Sequence, residues 1–161
     1  MTNKTKDAIK TTFMELLNRK PLNKITVREI VSGCGINRNT FYYHYTDIRT
    51  LVEEIFDEQS SYILRTVEGK SVYECLTTAI SFALENKSAM LHIYNSPDRE
   101  VLEQYIFRST EQTISRYIRI VTLPHHLRPE DEEAIVLYYK SLLTGLAVDW
   151  LSGGMKYDLS D

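Results

Sequence analysis

The sequence predicts an all-α fold of about eight helices. Three observations carry this prediction. Apolar residues recur at helical spacing, no run alternates convincingly at period two, and the few glycines and prolines (six and four) fall where the helical pattern breaks. With 161 residues, 43% apolar and 25% charged, the chain suits one domain or two small ones sharing a core, and wholesale disorder is excluded.

The first helix is expected from about Asn3 to Arg19, with Ile9, Phe13, Leu16 and Leu17 on one apolar stripe, and Pro21 ends it. Thr26-Val27-Arg28-Glu29 reads as a capping box. The Thr26 hydroxyl takes a free backbone N–H and Glu29 reaches back, starting a short helix through about Cys34 with Ile30 and Val31 inward. Gly35 can adopt a positive φ and turn the chain. Asn37 is a good N-cap for a third short helix, roughly Arg38 to Tyr45. Asp47 caps a longer fourth helix carrying Ile48, Leu51, Val52, Ile55 and Phe56. After a short linker at Gly69-Lys70, helices are expected over about 71–86, 87–95, 98–122 and 130–152. Ser96-Pro97-Asp98 and Pro129-Glu130-Asp131-Glu132 supply an early proline and acids near the positive dipole end.

Charge is unevenly spread. The net charge is −3, but residues 1–50 carry nine Lys/Arg against four Asp/Glu, net +5, which leaves −8 for residues 51–161. A basic first third points to a region that meets a polyanion. No stretch approaches the ~18 apolar residues of a membrane span, and MTNKTKDAIK has no signal-peptide apolar core, so a cytoplasmic protein with no membrane partner is expected. Cys34 and Cys75 are too few for a disulfide framework or a paired-cysteine metal site. No phosphate-binding, nucleophile-elbow or zinc-protease motif is present, so no catalytic residue, cofactor or metal site is expected. His125 and His126 are adjacent and diverge on a helix, with no carboxylate at i+4 from either. The Glu130–Glu133 run reads as a charged first helical turn rather than a catalytic cluster.

The segments TVREIVSGC, GIN and RNTFYYHY form two short helices joined by a tight turn, a helix-turn-helix. An α-helix fits the major groove of B-DNA, and residues near its N-terminus reach base edges; Arg38, Asn39 and Thr40 occupy that first turn. Residues 1–50 are therefore expected to form a DNA-binding domain and residues 51–161 a second, helical domain. Tyr42 and Tyr43 are adjacent and cannot both face inward on a helix, so at least one is exposed.

The segment ITVREIVSGCGINRNTFYYHYTDIRTLVEEIF resembles the DNA-binding domain of TetR-type transcriptional regulators over roughly residues 5–57. YYKSLLTGLAVDWLSGGMKYD resembles the last helix of small members of that family. The resemblance implies that Arg28 reaches a base or phosphate, that Arg38, Asn39 and Thr40 read bases, and that Tyr42, Tyr43 and His44 meet phosphate, sugar and thymine methyls. Lys24, Thr26 and Asn37 complete the DNA-facing set, while Phe41 and Tyr45 pack inward. Where the family usually has a phosphate-anchoring Lys at the start of its fourth helix, this chain has Ile48. Weaker anchoring is expected there, partly offset by Lys24. The plain alternatives are a solvated Arg28, a structural His44 and a Cys34 that is simply a small apolar residue.

In the last helix, apolar residues cover more than one face, with a small-residue strip at Ser141, Thr144, Gly145 and Val148. A homodimer seam using Tyr138, Leu142, Gly145, Leu146 and Trp150 is the preferred reading over a central core helix. Among eleven tyrosines, Tyr62, Tyr94, Tyr105 and Tyr117, with His92 and Arg108, are candidates for an effector pocket; the alternative is that these tyrosines pack cores with their hydroxyls at the surface. Two functions follow. One is a dimeric DNA-binding regulator, most often a repressor, released by a small molecule. The other is a DNA-tethered activator or adaptor switched by a protein partner, a reading supported by a looser resemblance to small family members such as the dihydroxyacetone kinase regulators.

Overall fold

The computed structural model describes residues 2–66, 71–122 and 128–157, and all regular structure among them is helical. The elements are α1 (Thr2–Arg19), α2 (Val27–Cys34), α3 (Arg38–His44), α4 (Ile48–Thr66), α5 (Val72–Glu85), α6 (Lys87–Tyr94), α7 (Arg99–Thr122) and α8 (Pro129–Ser152). A 3-10 turn at Leu22–Lys24, which the sequence pattern does not announce, precedes α2. The Gly69-Lys70 linker and the His125-His126 pair lie outside the described residues.

The chain divides into two compact units, 1–57 with 86–102, and 58–85 with 103–161. In the first, Ile9, Phe13 and Leu17 of α1 are buried with Ile30 of α2, Phe41 of α3 and Leu51 of α4. Full burial of such a side chain stabilises by about 1.5–3 kcal/mol. α2 lies close against α1: a Cβ on Gly33 would stand 2.5 Å from Thr12 Cγ2, so any larger residue there would have to displace the Thr12 side chain. His92 of α6 approaches the free Leu17 carbonyl in the last turn of α1, Nδ1 to O 2.6 Å, satisfying an acceptor the helix cannot.

The expected capping box is formed. The Thr26 hydroxyl accepts from Glu29 N, and Glu29 Oε2 accepts from Thr26 N at 3.0 Å. Glu29 also holds Lys20 at 2.5 Å. Those bonds, from Lys20 first and Thr26 second, pull the Glu29 carboxyl from its ordinary 4.5 down to about 2. A carboxylate whose pKa falls on folding stabilises the fold above its unfolded value, and that contribution is lost as pH falls through the folded one. Acid titration should therefore weaken the fold between pH 4.5 and about 2. Glu29→Gln should flatten that part of the curve when unfolding is followed by circular dichroism; an unchanged acid limb would remove this role.

In the second unit, Ile63 of α4 and Cys75 of α5 form a buried apolar cluster with Ala79 against it. Ser60 and Ser109 share a hydroxyl hydrogen bond of 2.5 Å between α4 and α7. α8 meets α7 through Lys140–Glu111 at 2.7 Å and Thr144–Thr110 at 3.0 Å. Beyond α8, Gly154 and Met155 take positive φ (74° and 52°), which turns the chain and buries Met155. The expectation that no stretch approaches a membrane span is corrected by α8: by length and composition its 24 residues suffice to cross one. Polar groups at Lys140 and Thr144 engage α7, whereas Leu137, Tyr138, Tyr139, Leu142 and Leu146 are exposed.

Candidate nucleic-acid interface

The Asn37 side chain caps α3 by accepting from Thr40 N at 2.8 Å and from the Thr40 hydroxyl at 3.1 Å. Gly35, at φ 67°, makes the left-handed turn that separates α2 from α3. The seven residues of α3 are too few to hold a helix unaided, so packing decides which face looks out. Phe41 (0% exposed) and Tyr45 (2%) are driven inward, and Tyr42 (47%) and Tyr43 (77%) outward. Arg38 and Asn39 are exposed at the N-terminal turn, Thr40 and His44 are half-buried, and Arg28 is exposed on α2.

The outward groups brace one another. Arg38 donates to the Tyr42 hydroxyl at 3.4 Å and lies 5.7 Å from that ring's centre. Tyr43 meets His44 edge-on at 5.0 Å. Lys24 is exposed in the 3-10 turn. Two side chains of the set are committed to the fold: the Thr26 and Asn37 oxygens serve as helix caps. Asp47 accepts from Thr50 N at 2.8 Å as the expected cap of α4, and its carboxyl lies below the usual range because it also accepts from the Thr50 hydroxyl. Ile48 is half-buried and Arg49 bonds Glu53 at 3.2 Å. Cys34 is half-buried, its thiol directed at the Ala8 carbonyl.

Glu54 of α4 also belongs to this region, and no local pattern announces it. Its carboxylate accepts from Lys6 at 2.7 Å, Lys10 at 2.6 Å and the Tyr45 hydroxyl at 3.2 Å. Burial pushes its carboxyl up, but the two lysines outweigh burial and leave it lowered.

The six effector-pocket candidates fall in different places. His92 and Tyr94 belong to the first unit, His92 bonded to α1 and Tyr94 buried with Arg99 over its ring at 4.6 Å. In the second unit Tyr62 and Arg108 are exposed and Tyr117 is half-buried. Tyr105 is buried and hydrogen-bonded with Ser109 and Ser60; burial pushes its phenol up to about 12, so it keeps its proton. A cleft of about 200 Å³ in the first unit is lined by Leu22, Asn23, Ile25, Ile48, Arg49, Val52, Asp98 and Val101, and none of the six is among them. No group of three His, Cys, Asp or Glu side chains among the described residues is placed to hold a metal.

Of the expected seam residues, Tyr138, Leu142, Gly145 and Leu146 are exposed on α8. Trp150 is a correction. It is buried in its own unit, with Nε1–H donating to the Tyr157 carbonyl at 2.7 Å, because the turn at Gly154 and Met155 brings the chain back over its ring.

Comparison with known proteins matches two successive stretches of the chain. Residues 12–55 match the model of bacterial regulatory proteins of the tetR family, and residues 70–161 match a transcriptional regulator C-terminal region. No curated protein matches in sequence. Among solved structures, the dihydroxyacetone kinase operon activator DhaS is similar with a TM-score of 0.76 at 18% identity, over 93% of this chain and 85% of that one. NalD, the secondary repressor of the MexAB-OprM multidrug efflux pump in Pseudomonas aeruginosa, is similar with a TM-score of 0.63 at 17% identity, over 98% of this chain and 90% of that one. At these identities the likeness is one of fold.

Proposed function

The chain belongs to the TetR family of DNA-binding transcription regulators, and from that premise we propose that it is a sequence-specific homodimeric repressor switched by an effector in residues 51–161. One observation carries the proposal: α3 turns Arg38, Asn39, Tyr42 and Tyr43 outward as a braced set while its opposite face is buried. Residues 1–50 serve as the DNA-binding domain, with Arg38, Asn39 and Thr40 at base edges and Arg28, Lys24, Tyr43 and His44 at the backbone. The Thr26 and Asn37 side chains act there indirectly, by capping the helices that carry the contacts.

The homodimer reading rests on the apolar stripe of α8. Leu142 and Leu146 are a turn apart, both nearly half exposed, with Gly145 beside them. A two-fold seam there would cover the stripe and present two recognition helices to successive major-groove turns, about 34 Å apart. An effector that favours a state with another spacing would release the DNA by population shift. Tyr105 and Tyr117 of α7, with Tyr62 and Arg108, are the proposed effector-facing residues of the second unit; His92 and Tyr94 are those of the first. The protein works in the cytoplasm.

A second reading has support as well. Tyr62, Tyr73 and Leu84 expose apolar surface, which suits a protein effector. The fold likeness extends to an activator as much as to a repressor, so the fold leaves the sign of regulation to the promoter. Selection from a random pool of duplexes tests the reading. The expected winner is an inverted repeat whose half-site centres lie about one helical turn apart. A pool that stays random after repeated rounds would overturn it.

A further inference from the structure

We propose that Glu54 is the positioning residue for base reading: by holding the Tyr45 hydroxyl it sets the roll of α3 about its own axis. This rests on the DNA-reading role given above and adds a residue that touches no DNA. The carboxylate joins two elements. Lys6 and Lys10 of α1 reach it at 2.7 and 2.6 Å, and the Tyr45 hydroxyl donates to Oε1 at 3.2 Å. Tyr45 is the residue that ends α3; its N–H donates to the Phe41 carbonyl at 2.9 Å, so its backbone is tied to the helix. Its ring is 2% exposed, with Lys6 Nζ 5.4 Å from its centre.

From Tyr45 the aromatic contacts run outward. The His44 ring lies at 6.4 Å and the Tyr43 ring 5.0 Å beyond it. On the other side Phe41 lies at 5.7 Å and Tyr42 5.6 Å further on. A grip on Tyr45 is thus carried to both exposed tyrosines and, through Tyr42, to Arg38. Bidentate base contacts need placement within roughly 10–20°. Phosphate attraction falls off slowly with distance and tolerates such a roll. Loosening α3 should therefore erode discrimination between sequences before it erodes binding to DNA in general.

The test compares Glu54→Ala, Tyr45→Phe and the double variant with wild type. Each is titrated with a selected duplex and a scrambled one of equal length, with active concentration determined in each sample and melting curves alongside. Each single variant should lose about tenfold in the ratio of the two affinities, with an unchanged slope of log K against log salt. The double variant should lose no more than the larger single loss, because Glu54→Ala and Tyr45→Phe both remove the Tyr45–Glu54 hydrogen bond. A purely structural tie would lower the melting temperature and leave the ratio alone. If Glu54→Ala does not fold, Tyr45→Phe decides, since it removes one hydroxyl and keeps the buried ring. Variants that discriminate as well as a discriminating wild type overturn this role alone. A wild type without any site preference overturns the DNA-reading premise, and this role with it.

Discussion

Raising salt from about 50 to about 200 mM is expected to weaken operator binding by about 10³–10⁵-fold, the loss for a protein that neutralises about 6–10 phosphates. The acidic remainder of the chain does not change this expectation, because the first 50 residues carry net +5 and include the outward face of α3. Lys24 and Arg28 are exposed and His44 is half-buried, and these three are the proposed phosphate contacts. Ile48 supplies none, and Arg49 is held by Glu53, so the slope should sit toward the lower end of the range.

Against that background Arg38→Ala should cost about 1–3 kcal/mol at each half-site and relax base preference at one position. The structure adds a consequence: without Arg38 the Tyr42 hydroxyl loses that donor, and the ring keeps its edge contact with Phe41 at 5.6 Å. Tyr43→Phe should weaken all sequences alike, since a hydroxyl on phosphate carries no sequence information. Salt titrations of the three proteins on selected and scrambled duplexes separate these effects. An affinity flat in salt would remove the interface, and a Tyr43→Phe protein with altered preference but undiminished affinity would reverse the two assignments.

Gly145→Leu is expected to convert the protein from a dimer to a folded monomer and to lower operator affinity by about 10²–10⁴-fold, the advantage lost when two linked half-sites become one. The variant is informative because Gly145 is exposed and a Cβ there meets nothing within 4 Å in its own unit. Leucine is also about 1 kcal/mol better than glycine inside a helix, so α8 itself is not weakened. What leucine obstructs is close approach by a second helix along the strip with Leu142 and Leu146. Sedimentation at micromolar concentration reads the outcome directly. Wild type should run at twice 18.8 kDa and the variant near 18.8 kDa. A monomeric wild type, or a variant that remains dimeric, would move the seam elsewhere.

Helix limits were legible because they are set by bonds spanning three or four residues. The Thr26–Glu29 box, the Asn37 cap and the Asp47 cap each form where the sequence pattern places them. Phe41 and Tyr45 face inward as the family resemblance implies, while helical period required only that one of the adjacent Tyr42 and Tyr43 be exposed, and both are. The 3-10 turn at Leu22–Lys24 escapes such rules, because three residues carry no periodicity. Glu54 escapes them for a different reason. Its partners stand 48 and 9 positions away, at Lys6 and Tyr45, and on its own helix it is one acid among several.

Local composition was enough to establish the all-α architecture, the caps and the exposed face of the recognition helix, because backbone hydrogen bonding and helical period act over a turn or two. Tertiary packing decided the rest. An apolar helix such as α8 offers more than one face that could be buried, and only the folded unit allots them: Lys140 and Thr144 go to α7, Trp150 goes under the Tyr157 carbonyl, and Leu142 and Leu146 stay in solvent. That allotment depends on the left-handed turn at Gly154 and Met155 and on residues far apart in the chain, and no nearest-neighbour rule contains it.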